Sequence, residues 1–128
     1  PYSSGAHGPN PGLQQIFDEI APRYGVELIL NGHDHNYERT KPIKGVTYVV
    51  AASGGAPIRR LQPSWWSAQV RTEPHYVLID VERGNLVARA INLDGYIFDD
   101  FIIKPLPPQA QRALGAARSE QLAVRFER

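Results

Sequence analysis

Asn31-Gly32-His33-Asp34-His35-Asn36-Tyr37-Glu38-Arg39 follows directly on the apolar run Val26-Glu27-Leu28-Ile29-Leu30. A short strand that empties into a glycine and two histidines is the stretch around which the rest of the chain is read. His33 and His35 are two positions apart, which on a helix would aim the rings about 200° away from each other, but in an extended segment puts both on one side. The pair therefore belongs at a strand end or in a loop, and Asp34, between them, points the opposite way and is not counted as a ligand. Gly32 suits that place, because a residue without Cβ lets the chain turn out of a strand or pass close to a ligand. Neutral imidazole is the commonest side-chain metal ligand near neutral pH, and two on one face can share an ion or hold two adjacent ones. Taken alone, the pair reads equally well as two exposed histidines in a polar loop.

The preceding segment, 13–24, has Leu13, Ile16, Phe17, Ile20 and Ala21 spaced for one apolar helix face, with Pro22 and Gly25 to end it. A helix followed by the strand 26–30 suits an α/β layer whose sites form beyond the carboxyl ends of strands. Residues 1–12 are rich in Gly, Pro and Ser and read as loop. Beyond the histidines, 41–45 reads as a turn and 46–52 as a β-branched and aromatic strand, broken by Ser53-Gly54-Gly55-Ala56-Pro57. No clean period appears from 58 to 74, which is read as a long loop. The segments 76–81, 86–92 and 98–103 are strands of an antiparallel meander, joined by Glu82-Arg83-Gly84-Asn85 and Leu93-Asp94-Gly95. Pro105, Pro107 and Pro108 stop the sheet, and 109–126 has helical propensity with a weak apolar stripe. No internal repeat is visible.

Composition narrows the function classes. The chain has 128 residues, 42% hydrophobic and 21% charged, as ordinary globular domains do. A formal net charge of +1, with no basic tract longer than Arg59-Arg60, speaks against nucleic acid or a membrane surface as partner. There is no cysteine, so a metal would have only His and oxygen donors.

Gly32 through Arg39 resembles the last signature block, G-H-x-H, of the calcineurin-like metallophosphoesterases, and the longer form with Tyr-Glu-Arg is similar to their purple acid phosphatase branch. Pro1-Tyr2-Ser3-Ser4-Gly5-Ala6-His7-Gly8 resembles the loop after an earlier metal-binding histidine in that branch. Residues 45–57 are similar to the family's next strand and glycine turn, and 75–81 and 86–104 to its closing strands. The resemblance covers most of residues 1–104 and only the later part of the family's catalytic domain. It implies the C-terminal half of a four-layer α/β/β/α sandwich, an α+β or α/β fold that is mainly β with a helix near each end. Residues 1–104 would be the domain portion and 105–128 a Pro-led helical tail.

The same resemblance implies roles. His33 and His35 would bind different ions of a metal pair, divalent or trivalent Fe, Zn or Mn, and phosphate esters would be hydrolysed by a metal-bound hydroxide without a phosphoenzyme. His7 would contact phosphate and donate a proton to the leaving group, although a surface histidine in a terminal segment is an alternative reading. Tyr37, Glu38 and Arg39 would fix the histidine loop by hydrogen bonds or an ion pair. Arg59 and Arg60, near Trp65 and Trp66, are candidates for a rim that meets the phosphate ester; the competing reading is a solvated Arg pair beside partly buried aromatics. His75 is read as structural. The family's other metal ligands come from blocks that would precede Pro1, so the chain is expected to be one part of a longer domain, inactive by itself and binding metal weakly or not at all. It should associate with the missing N-terminal half or with itself. The branch is often exported, which leaves a secreted or periplasmic setting open. A reading from another class is a noncatalytic, β-rich metal-binding or accessory module that keeps the histidine loop without the chemistry.

Overall fold

The computed structural model describes residues 1–104, 107, 109 and 110. Helix α1, Pro11–Arg23, begins two residues before the apolar periodicity does, because Asn10 caps it: the Asn10 side chain accepts from the Leu13 amide and Pro11 takes the first turn. Pro22 lies inside the last turn and does not end the helix there; Tyr24 closes it and Gly25 leaves with φ 68°. Only part of the expected apolar face is buried. Ala21 is buried and Phe17 packs on the core, while Leu13, Ile16 and Ile20 are 40%, 50% and 47% exposed.

Among the described residues seven strands follow: β1 Leu28–Asn31, β2 Tyr37–Thr40, β3 Thr47–Ala51, β4 Ser67–Arg71, β5 His75–Glu82, β6 Asn85–Asn92 and β7 Ile97–Ile103. The first four form one sheet in the order β1-β3-β2-β4, with β1 parallel to β3 and the other pairs antiparallel. The last three form the expected antiparallel meander, β5-β6-β7. The sequence reading of 58–74 as one loop is corrected by β4, whose Ser-Ala-Gln-Val-Arg carries no run of β-branched residues and is ordered by pairing with β2.

The period-2 alternation of β3 shows how the layers stack. Tyr48 joins Tyr2, Ala21 and Val46 in a cluster under the helix, while Val49 joins Tyr37, Ala90 and Phe98 between the two sheets. Helix, sheet and sheet are thus three successive layers, as in a partial α/β sandwich, with β3 covered on both faces; hence its near-continuous apolar character. The helix expected over 109–126 lies, but for residues 109 and 110, outside the described residues.

Candidate functional site

β1 and β3 are parallel, so both release their chains at the same end of the sheet: β1 into 32–36 and β3 into 52–59. The two loops are tied by backbone bonds, Arg59 N–H to His35 O at 2.9 Å and Ala52 N–H to Asn36 O at 3.3 Å. Residues 1–10 fold on themselves through Asn10 N–H to Pro1 O at 3.0 Å and Gly8 N–H to Gly5 O at 3.1 Å, and reach the first loop through the bonds of Ser3 and His7 to Asp34. Pro1, Ser3, His7, Asn31, His33 and Asp34 are among the residues lining a cavity of about 630 Å³ at this end.

The histidine segment is not extended, which corrects the geometric reading of the pair. His33 has φ 82°, a left-handed backbone that a residue with a Cβ adopts at a cost of ~1–3 kcal/mol. Asn36 N–H bends back to Asp34 O at 2.9 Å. His33 stacks on His7, ring centroids 4.1 Å apart and 23° from parallel. His35 instead faces the 52–59 loop, its Nδ1 lying 3.0 Å from Pro57 O. A carbonyl can only accept, so Nδ1 carries the hydrogen and a neutral ring keeps its lone pair on Nε2. Such a carbonyl bond is the usual way of fixing the tautomer of a metal-binding histidine. Asn31, at the end of β1, has a buried Oδ1 without a hydrogen-bond partner. Among the described residues no three His, Cys, Asp or Glu side chains converge as a set able to hold an ion. The donors present near this strand end are of kinds a metal ion takes: two imidazoles, one with its lone pair on Nε2, and the unpaired amide oxygen of Asn31.

Arg59 Nη1–H donates to His7 Nε2 at 2.5 Å, which brings one of the two rim arginines onto the candidate phosphate-contacting histidine. Arg60 is exposed and faces a separate hollow beside Ser4, Gly5 and Ala6. Trp65 is 72% exposed, whereas Trp66 packs edge-on against Tyr2.

Tyr37, Glu38 and Arg39 leave the histidine loop as β2 and alternate between the two faces of the sheet. Tyr37 and Arg39 reach the second sheet, where both bond to Asp99. Burial, then the bond to Asp99, pushes the Tyr37 hydroxyl far above its ordinary range, and the same carboxylate raises Arg39 further. Glu38 is fully buried on the other face. It accepts from the Ser4 amide and hydroxyl (2.6 Å each), from Trp66 Nε1–H (3.1 Å) and from Ser67 Oγ–H (2.5 Å). Every acceptor site of a buried carboxyl group needs such donors, and Glu38 spends them on stitching the N-terminal loop to β2 and β4. His75 is buried, its Nδ1–H shared between Glu73 O at 2.8 Å and Ser53 Oγ at 2.6 Å.

Nothing in the sequence pattern marks Ser3, Ser4 and Asn31, since isolated serines and asparagines in a loop carry no periodic signal. Gly5 was the available clue. A Cβ there would lie 2.5 Å from Asn36 Nδ2 and 2.6 Å from Asp34 Cγ, so only glycine lets the two loops touch.

No protein-family model matches the chain. Among curated proteins it is 26% identical to "Probable inactive purple acid phosphatase 1" of Arabidopsis thaliana, over 73% of this chain and 19% of that protein. It is 36% identical over 53 residues to the tartrate-resistant acid phosphatase type 5 of Oryctolagus cuniculus, over 41% of this chain and 16% of that protein. The chain thus spans less than a fifth of either relative's length. Among solved structures its fold matches GAP50, the anchor in the inner membrane complex of Plasmodium, with a TM-score of 0.76 at 15% identity, over 85% of this chain and 35% of the other. Both sequence relatives are acid phosphatases by name, matched distantly and in part, and the match to GAP50 shows a shared fold.

Proposed function

We propose that this chain is the C-terminal part of the catalytic domain of a dinuclear metal-dependent phosphoesterase that hydrolyses phosphate esters. The observation that carries the reading is that His7, which lines the cavity with His33 and stacks on it, also takes a hydrogen bond from Arg59, while the His35 tautomer is set by Pro57 O. His33 and His35 would hold the metals, with Asn31 Oδ1 as a further oxygen donor at the strand end. Two ions in such a site polarise a phosphoryl oxygen and lower the pKa of a water nucleophile.

The remaining work falls to side chains of this chain. Arg59 and His7 offer an incoming phosphate a planar donor and an imidazole from the same side. When phosphate accepts from Arg59, His7 Nε2 is released from that contact, takes up a proton from water to give the imidazolium, and can pass that proton to the leaving oxygen; proton donation there is worth ~10²- to 10⁴-fold. The left-handed backbone at His33 holds its ring against His7 and so couples the metal-binding loop to the phosphate-binding one.

The test is elemental analysis and hydrolysis of para-nitrophenyl phosphate by the parent protein. About two metal ions per molecule are expected, with activity lost in His33→Ala and His35→Ala and lowered ~10²-fold or more in His7→Asn. The 128-residue chain by itself is expected to bind Zn or Mn only weakly. A metal-free parent protein, or one whose hydrolysis survives both ligand substitutions, refutes the proposal.

A further inference from the structure

Asp34 stands between the two candidate ligands in the chain, and the residue is only 2% exposed. Both of its oxygens are taken by the N-terminal loop. Oδ1 accepts from the His7 backbone amide at 3.1 Å, and Oδ2 accepts from the Ser3 hydroxyl. The Ser3 oxygen in turn accepts from the Gly5 amide at 3.1 Å, so the bonds run from Gly5 through Ser3 to Asp34 and return at His7. Two of the five residues from Ser3 to His7 are thus bonded to one side chain, and Gly5 is tied to it through Ser3. The contact is built closely: a Cβ on Gly5 would meet Asp34 Cγ at 2.6 Å and Oδ2 at 2.8 Å.

We propose that Asp34 is the positioning residue for His7: it sets the His7 backbone, and through it the imidazole, against His33 and Arg59. The physical case has three parts. A bond from a backbone amide to a carboxylate is stronger and more directional than one to a neutral acceptor, and it acts on the residue that bears the ring. The acceptor is buried, so water competes poorly for it. Asp34 also shares a tight turn with both candidate ligands, Asn36 N–H bonding back to Asp34 O, so the position of the His7 loop is referred directly to the segment that carries His33 and His35. With one bond from each oxygen to the loop, Asp34 has a structural use in this place that does not depend on binding a metal.

The proposal rests on reading His7 as the phosphate-contacting group, so its test is one of ring and backbone geometry and not of turnover. Amide hydrogen exchange and histidine ring resonances are measured by NMR in the full chain and in Asp34→Ala, Asp34→Asn and Ser3→Ala. In Asp34→Ala the His7 amide should exchange at least about tenfold faster, as befits loss of a bond to a charged group. The mutual ring shifts of His7 and His33 should collapse, while amides of β6 keep their protection. Asp34→Asn should restore most of the His7 protection, because its amide oxygen can still accept from His7 while its NH₂ donates to Ser3 Oγ. Ser3→Ala should leave the His7 amide bond in place and raise exchange at Gly5. Unchanged His7 exchange and ring shifts in Asp34→Ala would overturn the proposal. So would an even loss of protection across both sheets in Asp34→Ala and Asp34→Asn alike, which would make Asp34 a general staple. A parent protein without phosphatase activity would remove the reading of the site and leave the geometric result standing.

Discussion

Tyr37 and Asp99 meet across the two sheets, the Tyr37 hydroxyl donating to Asp99 Oδ2 at 2.6 Å. Arg39 forks onto the same carboxylate, Nε to Oδ2 at 2.7 Å and Nη2 to Oδ1 at 2.9 Å. Tyr37 and Arg39 belong to the strand that leaves the histidine loop, and Asp99 belongs to β7. The strand carrying the site is therefore bolted to the far sheet by a three-member polar group inside an apolar interface.

Removal of Asp99 should be costly, because it strands both a buried hydroxyl and a guanidinium. Asp99→Ala is expected to lower stability by ~3–5 kcal/mol, seen as a reduced urea midpoint. Tyr37→Phe, which removes one donor and leaves the Arg39 fork intact, should cost ~1–2 kcal/mol. Equal losses in the two variants would mean that the Arg39 fork contributes nothing.

Alkaline pH should unfold the chain through its tyrosines. Burial, with a hydrogen bond to Asp18, pushes Tyr2 up to about 12 and raises Tyr48, and Tyr37 is raised by burial and Asp99. A folded-state pKa above the unfolded value of ~10 contributes stability that is complete below pH ~10 and is lost as pH rises through the folded value. Stability should therefore be flat up to pH ~10 and then fall, each such tyrosine adding ~1.4 kcal/mol per pH unit to the slope. Denaturant titrations at several pH values check this, and Tyr2→Phe should make the fall shallower between pH 10 and 12.

Two glycines of this end of the sheet should respond oppositely to alanine. Gly5→Ala drives a methyl group into Asp34 and Asn36 and should cost ~1–3 kcal/mol. Gly54 has open space around its Cβ position, so Gly54→Ala should be neutral or stabilise by up to ~1 kcal/mol. Thermal melts of the two variants side by side distinguish them.

The left-handed backbone of His33 points to a residue kept for its ring at the expense of the fold. In chelator-treated protein, His33→Gly should hold or raise stability, by up to ~1 kcal/mol, since glycine adopts that φ freely. His35→Gly, which loses the Pro57 contact, should lower it. A clear loss of stability in His33→Gly would show that the stack on His7 outweighs the backbone strain.

What could be read without coordinates were the features that depend on neighbours along the chain. The alternation in 76–103 with its two Gly-containing turns specified the β5-β6-β7 meander, because side-chain period and turn chemistry are local. The apolar spacing of 13–24 gave the helix, and Gly32-His33-x-His35 after an apolar run put the two candidate histidines just past a strand end. β4 was not legible, since Ser67-Ala-Gln-Val-Arg71 becomes a strand only through the bonds that β2 offers it. Nor was the exposure of Leu13, Ile16 and Ile20 legible, because a helical stripe says which residues share a face and not how much of that face is covered.

The site divides in the same way. Sequence by itself named His7, His33, His35 and the Tyr37-Glu38-Arg39 run, all of them chemically distinctive side chains at short range. Only the tertiary structure decided that His33 meets His7 while His35 turns to Pro57, and that Arg59 joins the first pair but Arg60 does not. It alone gave Asp34 and Glu38 to Ser3, Ser4 and His7, roughly thirty positions away. A buried carboxyl group takes whichever donors the fold brings to it, and those are set by how β1 and β3 lie in parallel beneath the N-terminal loop, a long-range pairing that no local pattern encodes.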